Sequence, residues 1–215
     1  MAPVVVWAKL RVMITTAPAP LLLDGLMPSP DAATTVTVLV DADPATTYAA
    51  ILDADFADMP RKDPLLRWVI AARALPDRLS RRLRGRPPAV PIAETGGRLG
   101  VMGEGPDAWI RLGAQPGREF AFGAIGQFLG AQVDWRPTTC AEFGAFAEPG
   151  YVKIAASLSV HPYGERRCLL TYDCRSTATD PASRASFLRY WRLVSPGIRI
   201  VLWRAAAMIR RGAGA

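Results

Sequence analysis

The stretch "FLRYWRLVSPGIRIVLWRAAAMIRR", residues 187–211, constrains this chain more than any other. Asp180-Pro181 stands ahead of it, and an Asp cap followed by Pro at the first helical position is a helix start. Phe187, Trp191, Val194, Ile198, Val201, Ala205 and Met208 then recur at spacings of 4, 3, 4, 3, 4 and 3. That spacing predicts one long helix over 181–211, whose unbroken apolar stripe must lie along another apolar surface. Arg189, Arg192 and Arg199 fall on the other side. Pro196 lies inside the helix and is expected to bend it, because it removes a backbone hydrogen bond and crowds the preceding turn.

The residues before the helix supply that surface. Between 95 and 178, alternating runs at 108–114, 118–128, 151–161 and 167–179 are separated by turns such as "QPG" and "HPYGE". Closely spaced runs with tight turns predict an antiparallel meander. Upstream, "TTVTVLVDADP" (34–44) reads as a strand, and Asp43-Pro44 opens a helix to about residue 54. Asp63-Pro64 repeats the signal ahead of "LLRWVIAARAL", which puts Leu65, Trp68, Val69 and Ala72 on one stripe. Pro76 ends that run, and "DRLSRRLRGRPP" tails off as a basic turn or short helix. The order predicts an α+β domain over 34–212 in which the long C-terminal helix packs along an antiparallel sheet. Residues 1–33 are Pro-rich and read as an N-terminal extension, partly packed through Leu21 to Leu26. Met13 opens "MITTAPAP" and reads as an alternative start.

Half of the 215 residues are hydrophobic, enough for a sizeable core. The longest uncharged run, Phe120 to Val133, has 14 residues, against the ~18 that span a bilayer. Lys9 and Arg11 interrupt the apolar N-terminus, so no secretory signal is expected. Cys140, Cys168 and Cys174 form no CxxC. Cys168 and Cys174 share one strand, about 20 Å apart at ~3.3 Å per residue, too far to bridge. Sparse, unpaired cysteines fit a reducing compartment, so the expected location is cytoplasmic. One histidine and scattered cysteines give no ligand cluster, so neither a metal nor another cofactor is expected.

At this point the chain is similar to a known superfamily. The segments "TVTVLVDADPATTYAAILD", the hairpin from "EPGYVKIAASLSVHP" to "GERRCLLTYDCRSTATDP" and "FLRYWRLVSPGIRIVLWRAAAMIRR" resemble the START-like, helix-grip superfamily. This is the polyketide cyclase/dehydrase and lipid-transport group, abbreviated SRPBCC. The resemblance runs from about Thr34 to Arg211. It implies a helix-grip fold, an antiparallel sheet wrapped around the long C-terminal helix with an internal cavity between them, and binding of a hydrophobic small molecule or lipid in that cavity. A minority of that superfamily are enzymes, so a cyclase or dehydratase acting on a polyketide-like substrate is the alternative. Where relatives tend to carry Glu-x-Arg, this chain carries Asp173-x-Arg175.

The candidate site residues follow from pattern and resemblance together. Trp109, Phe120, Phe122, Phe143, Phe146, Tyr151, Tyr172, Trp191, Val194 and Ile198 are candidates for lining the cavity, since ligand sites are mainly apolar with a few polar groups. Plain core is the competing reading for the aromatics. Asp173 and Arg175 share one strand face with Thr171 and Thr177, opposite Cys168, Leu170, Tyr172 and Cys174. The apolar face should meet the long helix, leaving Asp173 and Arg175 as an ion pair on a solvated face. In the opposite register they would be the catalytic candidates inside the cavity. His161 ends a strand before Pro162 with no nucleophile beside it, so a turn or surface role is expected. "GVMGEGP" (100–106) lacks GxGxxG and precedes no helix, so it is a turn and not a phosphate cradle.

Charge is segregated. Residues 182–215 hold seven arginines and no acid, residues 61–88 carry a net +7, and the remainder is net −7. These basic segments are expected either to be solvated helix faces or to meet an anionic membrane surface beside the cavity entrance. Trp203 projects on the same side as Arg192 and Arg199. Nucleic acid is disfavoured: a sequence pI of about 9.8 invites it, but no binding motif accompanies the charge.

Overall fold

The computed structural model describes residues 20–56, 59, 63–65, 67, 98–105, 107–129 and 132–214. The expected basic helix and tail over most of 61–88, and Met13, lie outside the described residues. The elements are α1 (Leu22–Leu26), β1 (Ala32–Val40), α2 (Pro44–Asp53), β2 (Ile110–Gln115), β3 (Glu119–Leu129), β4 (Gln132–Arg136), α3 (Cys140–Ala145), β5 (Val152–Pro162), β6 (Cys168–Ala178) and α4 (Pro181–Ala213).

The strands form one open antiparallel sheet in the order β1-β6-β5-β3-β2, with β4 also paired to β3. Strands β2 and β4 divide one flank of β3: β2 runs beside 119–123 and β4 beside 125–129. The hairpin turns need φ > 0 once each, and glycine supplies it: Gly117 at +73° in "QPG" and Gly164 at +73° in "HPYGE". Strand alternation then sorts the side chains onto two faces. Val36, Val40, Phe120, Phe122, Leu158, Val160, Leu170 and Tyr172 point to one face, where they bury Leu202, Ala205, Ala206 and Ile209 of α4. Ile110, Leu112, Ala121, Ile125 and Ala155 point to the other, under Leu23 and Met27 beside α1 and Phe143 of α3. The architecture is therefore α+β, a six-stranded antiparallel sheet with the long C-terminal helix packed against it, as expected.

Three helix starts follow the Asp-Pro signal. Asp43 accepts from the backbone N–H of Ala45 and Thr46. Asp63 accepts from Leu65, and Pro64, Leu65 and Arg67 are helical. Asp180 accepts from Ala182 and Ser183, and its second oxygen takes the N–H of Gly150 at 2.7 Å, tying the start of α4 to the entry of β5.

Leu22–Leu26 of the N-terminal extension form α1, which covers the sheet face that α4 leaves bare. The structure differs from the expected layout in two places. Strand β4 and helix α3 are additions to the expected elements. A reciprocal cap between Thr139 and Glu142 starts α3, the Ser/Thr-x-x-Glu pattern of a short helix with no apolar stripe to announce it. The apolar stripe of α4 is not unbroken. The helix runs through Pro196 without interruption. Its buried residues are Phe187 near one end, then Leu202, Ala205, Ala206, Ala207, Ile209 and Ala213 near the other. Trp191, Val194, Ile198, Val201 and Met208 are half-buried.

Leu202→Ala should therefore cost about 2–5 kcal/mol, the usual range for a buried leucine, whereas Val194→Ala should cost clearly less. Urea denaturation of both variants checks this, and equal losses would mean the helix is buried evenly. Asp180 carries a pH signature. Its hydrogen bonds from Ser183 and Gly150 hold its pKa at about 2, below the ordinary 3.8. A carboxyl depressed in the folded state stabilises above its unfolded pKa and loses that contribution as pH falls through the folded value. The stability gap between the wild type and Asp180→Ala should shrink between pH 3.8 and about 2 and be constant at neutral pH.

Candidate functional site

The face of the sheet that meets α4 carries two separate apolar clusters. The larger joins Phe120, Phe122, Leu158, Leu170 and Tyr172 to the C-terminal half of α4, with Trp109 and Ile198 packed against it. The smaller joins Ala32, Val152 and Phe187, with Phe128, Ile154 and Trp191 against it. Between them lies a level at which β3, β6 and α4 carry Ala124, Ser176 and Val194, while β5 carries Ile154, the register partner of both strand residues, which packs with the smaller cluster. On β6, Ser176 falls between Cys174 of the first cluster and Ala178 of the second. On β3, Ala124 falls between Phe122 and Phe128. On α4, Val194 falls between Trp191 and Ile198 and belongs to neither cluster among the described residues.

Aromatic rings bridge the clusters along one flank. Phe56 stacks on Tyr172 with centroids 6.0 Å apart, and both touch Phe122. Trp109 follows at 5.9 Å from Phe122, then Trp135 at 5.3 Å from Trp109, Phe128 at 6.4 Å from Trp135 and Phe187 at 5.3 Å from Phe128. Trp191 ends the series at 5.6 Å from Phe187. Such pairs each contribute about 0.5–1.5 kcal/mol beyond area burial. Two polar atoms on this face are buried with no hydrogen-bond partner, Trp109 Nε1 and Ser176 Oγ. Buried polar groups ordinarily find a partner, so each is an open valence for a water or a ligand. Burial pushes the Cys174 thiol up to about 12, with Asp173 next to it in sequence adding to the shift, and burial also raises the Tyr172 hydroxyl. Both remain protonated at neutral pH, so they offer hydrogen-bond donors and no charge.

Seven of the ten expected lining residues therefore sit on the α4 face: Trp109, Phe120, Phe122, Tyr172, Trp191, Val194 and Ile198. The other three do not. Phe143 is buried on the far face, and Phe146 and Tyr151 pack against the same far cluster. They cannot line a space between sheet and α4, because the sheet itself lies in between. Phe56, Phe128 and Trp135 are further aromatic residues on this face that sequence reasoning missed. The signal for Trp135 is the alternation in "QVDWR", too short to stand out after the preceding glycine-rich strand.

Asp173 and Arg175 face away from α4, as the alternation predicts, but the face is not solvated. Helix α1 lies over it. Arg175 donates to Asp173 at 2.9 Å, to Asp24 at 2.8 Å and to the carbonyls of Leu23 and Met27 at 3.2 and 3.1 Å. Thr35 donates to the second Asp173 oxygen. Beside this, Glu119 is fully buried; one carboxylate oxygen accepts the Leu22 N–H at 2.7 Å and the other has no partner. The Asp173-x-Arg175 pair is thus a latch for the N-terminal segment and lies outside the α4 face. The sequence signal for this buried polar patch is Ser157 and Ser159, which share a face and sit opposite Asp173 and Glu119.

His161 ends β5 opposite Leu169 and is half-exposed, in keeping with a surface role. The first two residues of "GVMGEGP" lie in a short 3-10 turn, Leu99–Val101. The three cysteines are free. Among the described residues no group of three or more His, Cys, Asp or Glu could hold a metal ion, and no helix is long and apolar enough to cross a membrane. At the C-terminal end of α4 a half-open recess of about 350 Å³ is lined by Met59, Asp63, Pro64, Leu65, Arg204, Met208 and Arg211. There Arg204 pairs with Asp63 at 3.4 Å. No family model and no curated protein matches the chain.

Removing the guanidinium strands the Asp173 carboxylate under α1, so Arg175→Ala should destabilise the protein by about 3 kcal/mol. Hydrogen exchange should speed up first over residues 22–31. Loss spread evenly over the sheet would mean that Arg175 does not act through α1.

Proposed function

We propose that this chain binds a hydrophobic small molecule or lipid between the sheet and α4, with no obligatory cofactor. The observation that carries this reading is that the apolar packing between sheet and α4 falls into two clusters, separated at Ser176, Ala124 and Val194, with Ile154 of the smaller cluster at the same level. A protein interior ordinarily packs to the density of an organic crystal, with one contiguous core and smaller satellite clusters. A site walled by Phe122, Trp109, Trp135 and Phe128, with Trp109 Nε1 and Ser176 Oγ as its few unmatched polar atoms, fits an apolar ligand carrying one or two hydrogen-bonding groups. The resemblance to the START-like superfamily points the same way. The alternative, a cyclase or dehydratase, would need an acid and base facing this space. Asp173 and Arg175 face the other way, and Tyr172 and Cys174 hold their protons too tightly to serve as bases at neutral pH.

Native mass spectrometry of protein purified from its host tests the reading directly. A co-purifying apolar molecule, or displacement of a bound hydrophobic fluorescent probe by lipid extract, is the expected result. Val194→Trp should then reduce probe binding at least tenfold while leaving the far-ultraviolet circular dichroism unchanged. Unchanged probe binding would mean that the face is plain core.

A further inference from the structure

The outward side of α4 carries a second feature, independent of ligand binding. Leu193 is 74% exposed and Trp203 46% exposed. At 3.6 residues per turn, Arg189, Arg192, Leu193, Pro196, Arg199 and Trp203 share roughly a third of the helix circumference. All six are exposed. They form a strip about 21 Å long. Arg192 and Arg199 make no ion pair among the described residues, and no acidic residue follows Asp180 in the chain. Trp203 also stacks under the Arg204 guanidinium, with the centroid 5.3 Å away.

We propose that this strip docks the protein on an anionic lipid bilayer, with α4 lying in the plane of the headgroups. Two requirements of an interfacial helix are met on one side of one element. The arginines supply charge complementary to anionic headgroups, and their long stems let the guanidinium remain at the polar level. Leu193 and Trp203 supply side chains that enter the boundary between headgroups and acyl chains, where tryptophan is favoured. A solvated helix face accounts for the arginines but not for a leucine and a tryptophan among them. A nucleic-acid surface accounts for the arginines and the tryptophan but leaves Leu193 without a role. Arg204 borders the strip but is excluded from the docking set, because its guanidinium is paired with Asp63 at 3.4 Å.

The test is sedimentation of the full chain with vesicles of phosphatidylcholine alone and of phosphatidylcholine with one-third phosphatidylglycerol, at about 50 mM and about 500 mM NaCl. Binding should require phosphatidylglycerol and weaken sharply at the higher salt. Each arginine near an anionic surface is worth about fivefold in partitioning, so Arg192→Ser with Arg199→Ser should lower it about 30-fold. Lysine at both positions should restore most of it, which separates lost charge from lost fold. Leu193→Ser with Trp203→Ser should remove the binding that survives high salt. Equal partitioning to both vesicles, no partitioning to either, or insensitivity to both double variants would overturn the proposal. So would strip-dependent binding of single-stranded poly-uridine by a protein that ignores the anionic vesicles.

Discussion

Everything else in this fold depends on the close seating of the C-terminal half of α4 against the sheet. Ala205, Ala206 and Ala207 are the reason it can come close: three consecutive small side chains let the helix backbone approach β1, β6 and α2 with no bulky side chain to hold it off. Leu202 and Ile209 then fill the space on either side of that approach. A 33-residue helix has far too little intrinsic stability to hold this position alone, and its order comes from the face it buries. The start of the helix is fixed separately, through Asp180 to Gly150. The helix is thus secured at two ends, and the stretch between them is free to be less well packed.

That division reappears in the sheet. The face under α1 and α3 is closed by apolar packing and by a polar latch in which Arg175 uses all three nitrogens. Its buried carboxylates have named donors, apart from one oxygen of Glu119. The face under α4 is closed by two apolar clusters, one toward each end of the helix. Unpartnered buried polar atoms, which cost about 1–3 kcal/mol each, occur on both faces: Trp109 Nε1 and Ser176 Oγ on the α4 side, Glu119 Oε1, Ser157 Oγ and Thr177 Oγ1 on the other. The division of the apolar packing into two clusters is what favours the α4 side for the binding proposal.

The sequence makes the fold legible wherever a period or a cap carries the information. Three Asp-Pro pairs locate three helix starts, and strand alternation alone assigns Asp173 to the correct face. The sequence is silent on what covers that face, since a five-residue helix in a Pro-rich extension has neither period nor stripe. Leu21 to Leu26 hint at packing without saying against what. The heptad spacing from Phe187 to Met208 is real, but it overstates burial. Spacing records which way side chains point and carries no information on whether the opposing surface is full. The strand residues between the two clusters are Ser176 and Ala124 on either side of Ile154, and small residues on a strand are silent until the register is known. Phe143 is misassigned for a related reason: an aromatic residue outside the strands has no alternation to fix its face.

Pro196 gains a physical meaning in this setting. Lacking an N–H, it leaves the carbonyl of Arg192 without its usual partner, and an interior proline costs a helix about 3 kcal/mol. The cost is tolerable because Pro196 is exposed, so water can take the open carbonyl. The weakened turn spans the same residues, 192 to 197, at which α4 passes from one apolar cluster to the other. The helix is therefore least held by its own backbone where it is least held by the sheet. A helix built this way concentrates its compliance in one turn and leaves both anchors intact. Under the proposed function, that turn is where a ligand entering between sheet and helix would meet the smallest resistance. The exposed strip that includes Pro196 faces outward from the same turn, so the face read as meeting a bilayer and the turn read as admitting an apolar molecule are two sides of one short segment.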